Sequence, residues 1–284
     1  MKPTNIFMKQ ILLLKQVYER FSKDQGFFMA ASISFYALFS IFPLLLFIIS
    51  VLGFVLESAA LQREILEQVF SNLPGIGKFV QANLQAIVAK RGTIGALGLL
   101  GLLWSGLGVF DAIENALNRI WRAPASRIPI RAKLIALLIL LWLAILLLIS
   151  LIVTSGATTL GIWFSLLFPD LAELLTPLWR LVPAFLGILL SISLFFVVYK
   201  FVPHLKLRLK QVWLGALTAG LGWEGAKHLF VWYLKNFASY GKVYGSLGTV
   251  IALMFWIYIS SIILLLGAEL NSVYLKSETT GKQG

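Results

Sequence analysis

Glu224, Lys227 and His228 stand within one strongly apolar stretch, WLGALTAGLGWEGAKHLFVWYL. Their i, i+3, i+4 spacing sets all three on one face of a helix. Ala216 and Gly220 continue that face, so the ionisable stripe is also one that a neighbouring helix can approach closely. Glu224 lies 14 residues past Lys210, which is about 21 Å along a helix and slightly beyond mid-depth of a bilayer. Ionisable groups there cost about 2.5–3.5 kcal/mol each on insertion scales, and they face a cavity or a partner. Two chemistries fit. The stripe can line a path for an ion, a proton or an anionic head group. Alternatively, a Glu224–Lys227 pair holds the helices together while Lys227 and His228 reach to the outer interface.

Two further polar groups mark helix ends. Asp111, Glu114 and Asn115 follow the second apolar run, and Glu269 and Asn271 follow the last. A solvated helix end, or an ion pair with Arg119 or Arg122, is the favoured reading. Membership of a transport path is the alternative for Asp111, Asn115 and Glu269. Gly241 and Gly245, with Tyr244, Ser246, Gly248 and Thr249, suggest a tightly packed or broken helix start.

Enzyme chemistry finds little material. The chain has no cysteine and two histidines, so thiol nucleophiles, zinc-thiolate sites and iron–sulfur clusters are excluded. A metal-dependent nuclease needs clustered His and Asp ligands that this sequence does not supply. No Walker loop is present. The expectation is no catalytic residue, no metal, no cofactor and no enzyme, with any transport passive or gradient-driven.

The elements that position these residues are apolar helices. Between Lys133 and Asp170 the chain runs 36 residues without a charge, and Gln25–Leu56, Gly92–Phe110, Leu181–Tyr199 and Val243–Ala268 are also charge-free. A spanning helix needs about 20 apolar residues. With 59% hydrophobic and 13% charged residues and a mean hydropathy of +0.89, the chain reads as an all-α, polytopic membrane protein. Six spans are expected within a domain of 26–270, at about 27–55, 93–112, 133–165, 180–201, 211–233 and 244–268. Residues 1–25 suggest a cytoplasmic amphipathic helix at the membrane interface, with Phe7, Ile11, Leu14, Tyr18 and Phe21 at helical spacing among basic residues. An external amphipathic segment is expected at 57–91 and a cytoplasmic tail at 271–284. Pro43 removes one backbone hydrogen bond from the first span and predicts a kink. In the second span Gly98, Gly101, Ser105 and Gly108 form one small-residue stripe. The opening twenty residues show no long apolar region ending in a cleavage site, which leaves the first span as its own insertion signal.

The net charge of +12 suits nucleic acid, but its placement does not. Lys and Arg number sixteen in one alternating set of segments (1–25, 111–133, 200–210, 270–284) and seven in the other (57–91, 170–180, 233–244). That asymmetry is the positive-inside bias, and it puts both termini in the cytoplasm. Nucleic acid is therefore not an expected partner. Anionic lipid head groups at the basic inner loops are.

Three blocks carry a resemblance. They are AASISFYALFSIFPLLL with Tyr36 and Pro43; Tyr199, Pro203, Trp213 and Gly215 around the basic loop; and KVYGSLGTVIALMFWIYISSIILLLGAELN with Tyr244, Gly245, Trp256, Tyr258, Gly267 and Glu269. Over about 20–275 the chain resembles the YihY/BrkB family, also labelled ribonuclease BN-like. The resemblance implies a six-helix protein of the bacterial inner membrane. The ribonuclease label resembles a misassignment, with which the ligand-poor sequence agrees. Some members are linked to envelope lipid transport and others to sodium/proton exchange. The leading expectation is movement of a lipid or anionic amphiphile across or within the cytoplasmic membrane. A cation/proton antiporter using Glu224 is the alternative, and a non-transporting envelope scaffold the third. The protein partner would be a second copy or another envelope protein.

Overall fold

A backbone shielded from water can satisfy its N–H and C=O groups only within its own helix or a closed barrel, and the apolar runs of this chain take the first solution. The computed structural model describes residues 6–55, 91–124, 169–237 and 246–280, with eight further positions between 134 and 149. Among the described residues run six helices: α1 (Ile6–Lys23), α2 (Gly26–Val55), α3 (Arg91–Ile120), α4 (Pro169–Phe201), α5 (Leu209–Phe237) and α6 (Ser246–Thr280). No strand occurs among them. Four helices hold stretches long and apolar enough to cross a membrane: Gly26–Phe47, Gly95–Ile120, Ala184–Phe201 and Val250–Leu275, with mean hydropathies from 1.7 to 2.5. The segment 57–91 up to its last residue, most of the span expected at 133–165, and Tyr244 and Gly245 lie outside the described residues.

Helix ends depart from the apolar boundaries where packing or a cap decides them. Pro169, whose missing N–H is no loss in a first turn, starts α4 eleven residues before the run expected at 180–201. The last helix continues from Glu269 through Thr280, over most of the stretch read as a tail. Its extension is held by burial of Ala268, Asn271, Ser272 and Val273. Helix α5 is 29 residues long, about 43 Å, but is not among the four apolar stretches. Glu224, Lys227 and the lysines near its ends lower its hydropathy.

The chain divides into two compact units, one of Met1–Gln25, Ala116–Lys227 and Ile263–Gly284, the other of Gly26–Asn115 and His228–Ile262. In the second unit the small-residue stripe of α3 seats α2. A Cβ added to Gly98 would lie 2.8 Å from the Phe47 backbone nitrogen, one on Gly101 would lie 3.1 Å from the Pro43 ring, and one on Gly108 would lie 2.5 Å from Tyr36. Ser105 belongs to the same stripe and returns its hydroxyl hydrogen to the Gly101 carbonyl at 2.7 Å. Ser34 of α2 and Ser261 of α6 meet at 3.4 Å, and Trp256 of α6 stacks against Phe230 of α5 at 5.0 Å between ring centroids. Few apolar side chains of this unit are buried. Phe28, Phe35, Phe42, Leu100 and Trp104 all face outward, as lipid-facing residues do.

The first unit has a true core, which includes Val17, Phe21, Leu117, Trp121, Phe195, Tyr199, Val212, Ala216, Leu265 and Ala268. Its tightest point is the crossing of α5 and α6. A side chain on Gly215 would overlap the Gly267 carbonyl and the Asn271 amide; one on Gly267 would overlap the Tyr199 hydroxyl and lie 2.8 Å from both Ala219 Cβ and the Gly215 carbonyl oxygen. Asn271 bridges the crossing. Its Oδ1 accepts the Gly215 N–H at 2.7 Å, and its Nδ2 donates to the Val212 carbonyl at 3.2 Å. Tyr199 closes the third side by donating to the Leu264 carbonyl at 2.6 Å. After α4, Pro203 is buried in a turn pinned by Asn118, whose Oδ1 accepts the His204 N–H at 2.8 Å.

Helix α1 presents apolar residues on two sides. Val17 and Phe21 are buried, whereas Ile11, Leu14 and Tyr18 are exposed. The inward face runs through Val17 and Phe21 to Asp24, and Ile11, Leu14 and Tyr18 form an apolar outer face.

Two outcomes test the crossing. Gly267→Ala should destabilise the detergent-solubilised protein by about 1–3 kcal/mol, the usual range for overpacking, whereas Gly106→Ala, with open space around it, should leave the melting temperature unchanged or slightly raised. Asn271→Leu, which removes an amide bonded at both ends to the α5 backbone and puts a branched side chain into the crossing, should cost about 1–3 kcal/mol, again read as a lowered melting temperature.

Candidate functional site

Helix α5 carries Glu224 to the surface of α4, where the sequence offers two small residues one turn apart, Gly187 and Ser191. Glu224 Oε1 accepts from Ser191 Oγ at 2.5 Å and from Lys227 Nζ at 2.8 Å. Ser191 Oγ also lies 2.9 Å from the Gly187 carbonyl of its own helix. A hydroxyl has one hydrogen, and the carboxylate is the stronger acceptor. Opposite the carboxylate, Gly187 leaves a gap, since a Cβ there would be 4.0 Å from Glu224 Oε1. One turn along, Gly220 packs so tightly on α4 that an added Cβ would lie 2.6 Å from Ile192. The ionisable stripe is thus also the close-packed one.

The pair is unevenly covered. The Glu224 side chain is 13% exposed and that of Lys227 36%. The Lys227 ammonium also sits over the Trp223 ring, 4.7 Å from its centroid, a favourable place for a cation. The arrangement presents a positive group outward and keeps its negative partner covered. His228, on the next position of the helix, is exposed.

The remaining candidates divide. Asp111 and Asn115 are exposed on α3, as solvated helix ends would be. Glu269 is not: only 1% of it is exposed, and neither of its carboxyl oxygens has a hydrogen-bond donor among the described residues. Packing of α6 against its neighbours draws it inside, which periodicity within α6 alone does not reveal. Asp24, Arg20 and Arg122 all act on it electrostatically. Arg122 is bound not to a residue of its own helix but to Asp24 Oδ1, at 2.7 Å.

Two strained backbone positions hold this second cluster. Gln25 (φ 62°) ends α1 and Arg122 (φ 54°) ends α3, both in the left-handed region that glycine usually fills. After α3 the Ala123 N–H bonds to the Asn118 carbonyl and the Arg122 N–H to the Arg119 carbonyl, the paired bonds of a Schellman cap. Ser272 completes the contact: it donates to the Ile120 carbonyl at 3.2 Å and accepts from Arg20 at 3.4 Å. Asp24, Asn271 and Tyr199 were not singled out for these roles from spacing. The one legible signal was an acidic residue, Asp24, at the edge of an apolar run.

Of the residues named in the resemblance, Tyr36 and Pro43 form the seat for α3, Pro203 the turn after α4, Trp256 an aromatic contact and Gly267 the α5–α6 crossing. Their work is packing.

Residues 17–284 match the family described as Virulence factor BrkB. The chain is similar to a UPF0761 membrane protein of Chlorobium limicola, 34% identical across 87% of this chain and 54% of that protein. It is 31% identical to the UPF0761 membrane protein VSAL_I2938 of Aliivibrio salmonicida, across 92% of this chain and 81% of that one. A Bacillus subtilis protein named, provisionally, ribonuclease-like protein YfkH is 26% identical across 93% of this chain and 95% of its own length. The chain spans about half the length of several curated relatives it matches. No solved structure matches it. With its membrane-length apolar helices and a family match over nearly its whole length, the chain is a membrane protein of the Virulence factor BrkB family.

Proposed function

We propose that this chain moves a lipid or other anionic amphiphile across or within the bacterial cytoplasmic membrane. The observation that carries the reading is the Glu224–Lys227 pair at the α4–α5 contact, with its ammonium the more exposed end. A charge pair inside an apolar helix is costly unless it is used or fully covered, and this one is only partly covered. A phosphate-bearing head group would meet Lys227. The basic residues of 200–210 and the exposed apolar stripe of α1 beside Lys15 would attract the same lipids at the inner face.

The charge asymmetry of the segments supports six spans with both termini in the cytoplasm. In this reading α5 is a span despite its lower hydropathy, because its charges are paired on its packed face. No catalytic step, cofactor or nucleic acid enters it. The ribonuclease-like name belongs to the Bacillus relative, and this chain's two histidines offer no ligand cluster for such chemistry. A second copy or another envelope protein would be the protein partner.

Cation/proton exchange is the second reading, favoured by one observation: Glu269 is buried beside Asp24 with its oxygens lacking donors among the described residues. In that scheme Glu269 would be the exchanging group, since Glu224 is held by Lys227 and Ser191.

Both readings are tested on one preparation, purified protein in liposomes assayed for lipid scrambling and for cation-dependent proton flux. Lys227→Met should slow scrambling at least about tenfold, roughly 1.4 kcal/mol of barrier, while Lys235→Met on the exposed side of α5 should leave it unchanged. Proton flux abolished by Glu269→Gln, without lipid movement, would replace the lipid reading by exchange. Silence in both assays would leave a scaffold.

A further inference from the structure

The resting partner of Lys227 constrains which head group can use it. Its ammonium lies 2.8 Å from Glu224, the more buried member of the pair. A head group that carries only negative charge and draws Lys227 to itself withdraws the ammonium that neutralises Glu224. Removing one partner from a covered ion pair is strongly unfavourable, because a charge is left behind in a poorly solvating environment. A head group that brings its own cation has no such difficulty. Its phosphate takes Lys227 while its ammonium replaces Lys227 at Glu224, and the site stays neutral throughout.

We infer that the ligand of this site is a zwitterionic phospholipid head group, with the phosphate on Lys227 and the ammonium on Glu224; the inference rests on the lipid-transport reading above. The spacing fits. Side chains at i and i+3 leave a helix about 5–6 Å apart, the scale of a phosphate and an ammonium joined by an ethylene link. The surroundings fit as well. Beside Ser191, the missing side chain of Gly187 leaves the carboxylate uncrowded on the α4 side. The Trp223 ring already lies beneath a cation, and an aromatic face accepts a substituted ammonium as readily as a lysine. Ser191, donating to Glu224 at 2.5 Å, holds the carboxylate in place while its cation is exchanged.

The test uses the full chain in liposomes of one fixed composition, with trace tail-labelled phosphatidylethanolamine and phosphatidylglycerol assayed side by side. For two probes on one protein, the ratio of rates reports the ratio of specificities. The ethanolamine lipid should be moved at least about tenfold faster than the glycerol lipid. Acetylating its amine, which removes the cation and keeps the phosphate, should reduce it to the glycerol rate. Glu224→Gln should bring the ratio toward one by slowing the ethanolamine probe and not the glycerol probe, a change that mere loss of folded protein would not produce. Equal rates in the wild type, faster movement of the glycerol lipid, or a ratio unaltered by Glu224→Gln would overturn the head-group assignment and leave lipid transport standing. Movement of neither probe would overturn lipid transport itself, and the assignment with it.

Discussion

Where α5 crosses α6, Gly215 and Gly267 bring two backbones so close that neither position can carry a side chain. Inside a membrane this kind of contact replaces the hydrophobic effect, because lipid tails are as apolar as leucine and give helices no reason to associate. Dispersion and polar satisfaction must do so instead. Asn271 supplies the second term, joining a backbone donor of α5 to a backbone acceptor one turn away. Tyr199 supplies the third by filling the space beside Gly267 and capping the Leu264 carbonyl. The placement of α4 follows from Tyr199, and that of Glu224 follows from α4, since Ser191 and Gly187 lie on the same helix about two and three turns earlier.

The two charged clusters of this unit both pair a covered carboxylate with a more exposed cation, but they are assembled differently. At Glu224 the charges are paired within one helix, close in sequence, and the positive member remains open to the surroundings. At Asp24 the charges come from separate segments; the Asp24 and Glu269 carboxyls are buried, while the Arg122 side chain is largely exposed. Arg122 reaches across 98 positions to Asp24, and Glu269 is enclosed beside them. Two non-glycine residues in left-handed conformation maintain that second arrangement. Such strain persists only where the surrounding packing over-determines it. The Asp24 cluster is therefore a clasp between α1, the end of α3 and α6, whereas the Glu224–Lys227 pair is internal to α5.

Much of the chain was legible as sequence. Charge-free runs announced membrane helices because a solvent without hydrogen bonds leaves no other use for twenty or more consecutive apolar residues. The stripe from Gly98 to Gly108 announced a close approach, and it is one. Glu224 and Lys227 were legible as a pair because three residues along a helix is a distance that local geometry sets. Helix α5 was legible too, expected at 211–233 and running Leu209–Phe237, although its lysines and glutamate leave it outside the four stretches apolar enough to cross a membrane. Glu269 was misread as a solvated end, since the run of apolar residues stops there while its burial does not.

What the order of residues determined by itself is each helix and the faces it presents, because the 3.6-residue period is a property of a single backbone. Which helix meets which face was decided only in three dimensions. Gly215 and Gly220 look alike in sequence, yet one faces α6 and the other α4. Ser191 carries no local sign that it will hold Glu224, nor Arg122 that it will hold Asp24. Periodicity records a helix's own geometry; the identity of its partner depends on contacts between segments far apart in the chain, and no single stretch of sequence contains them.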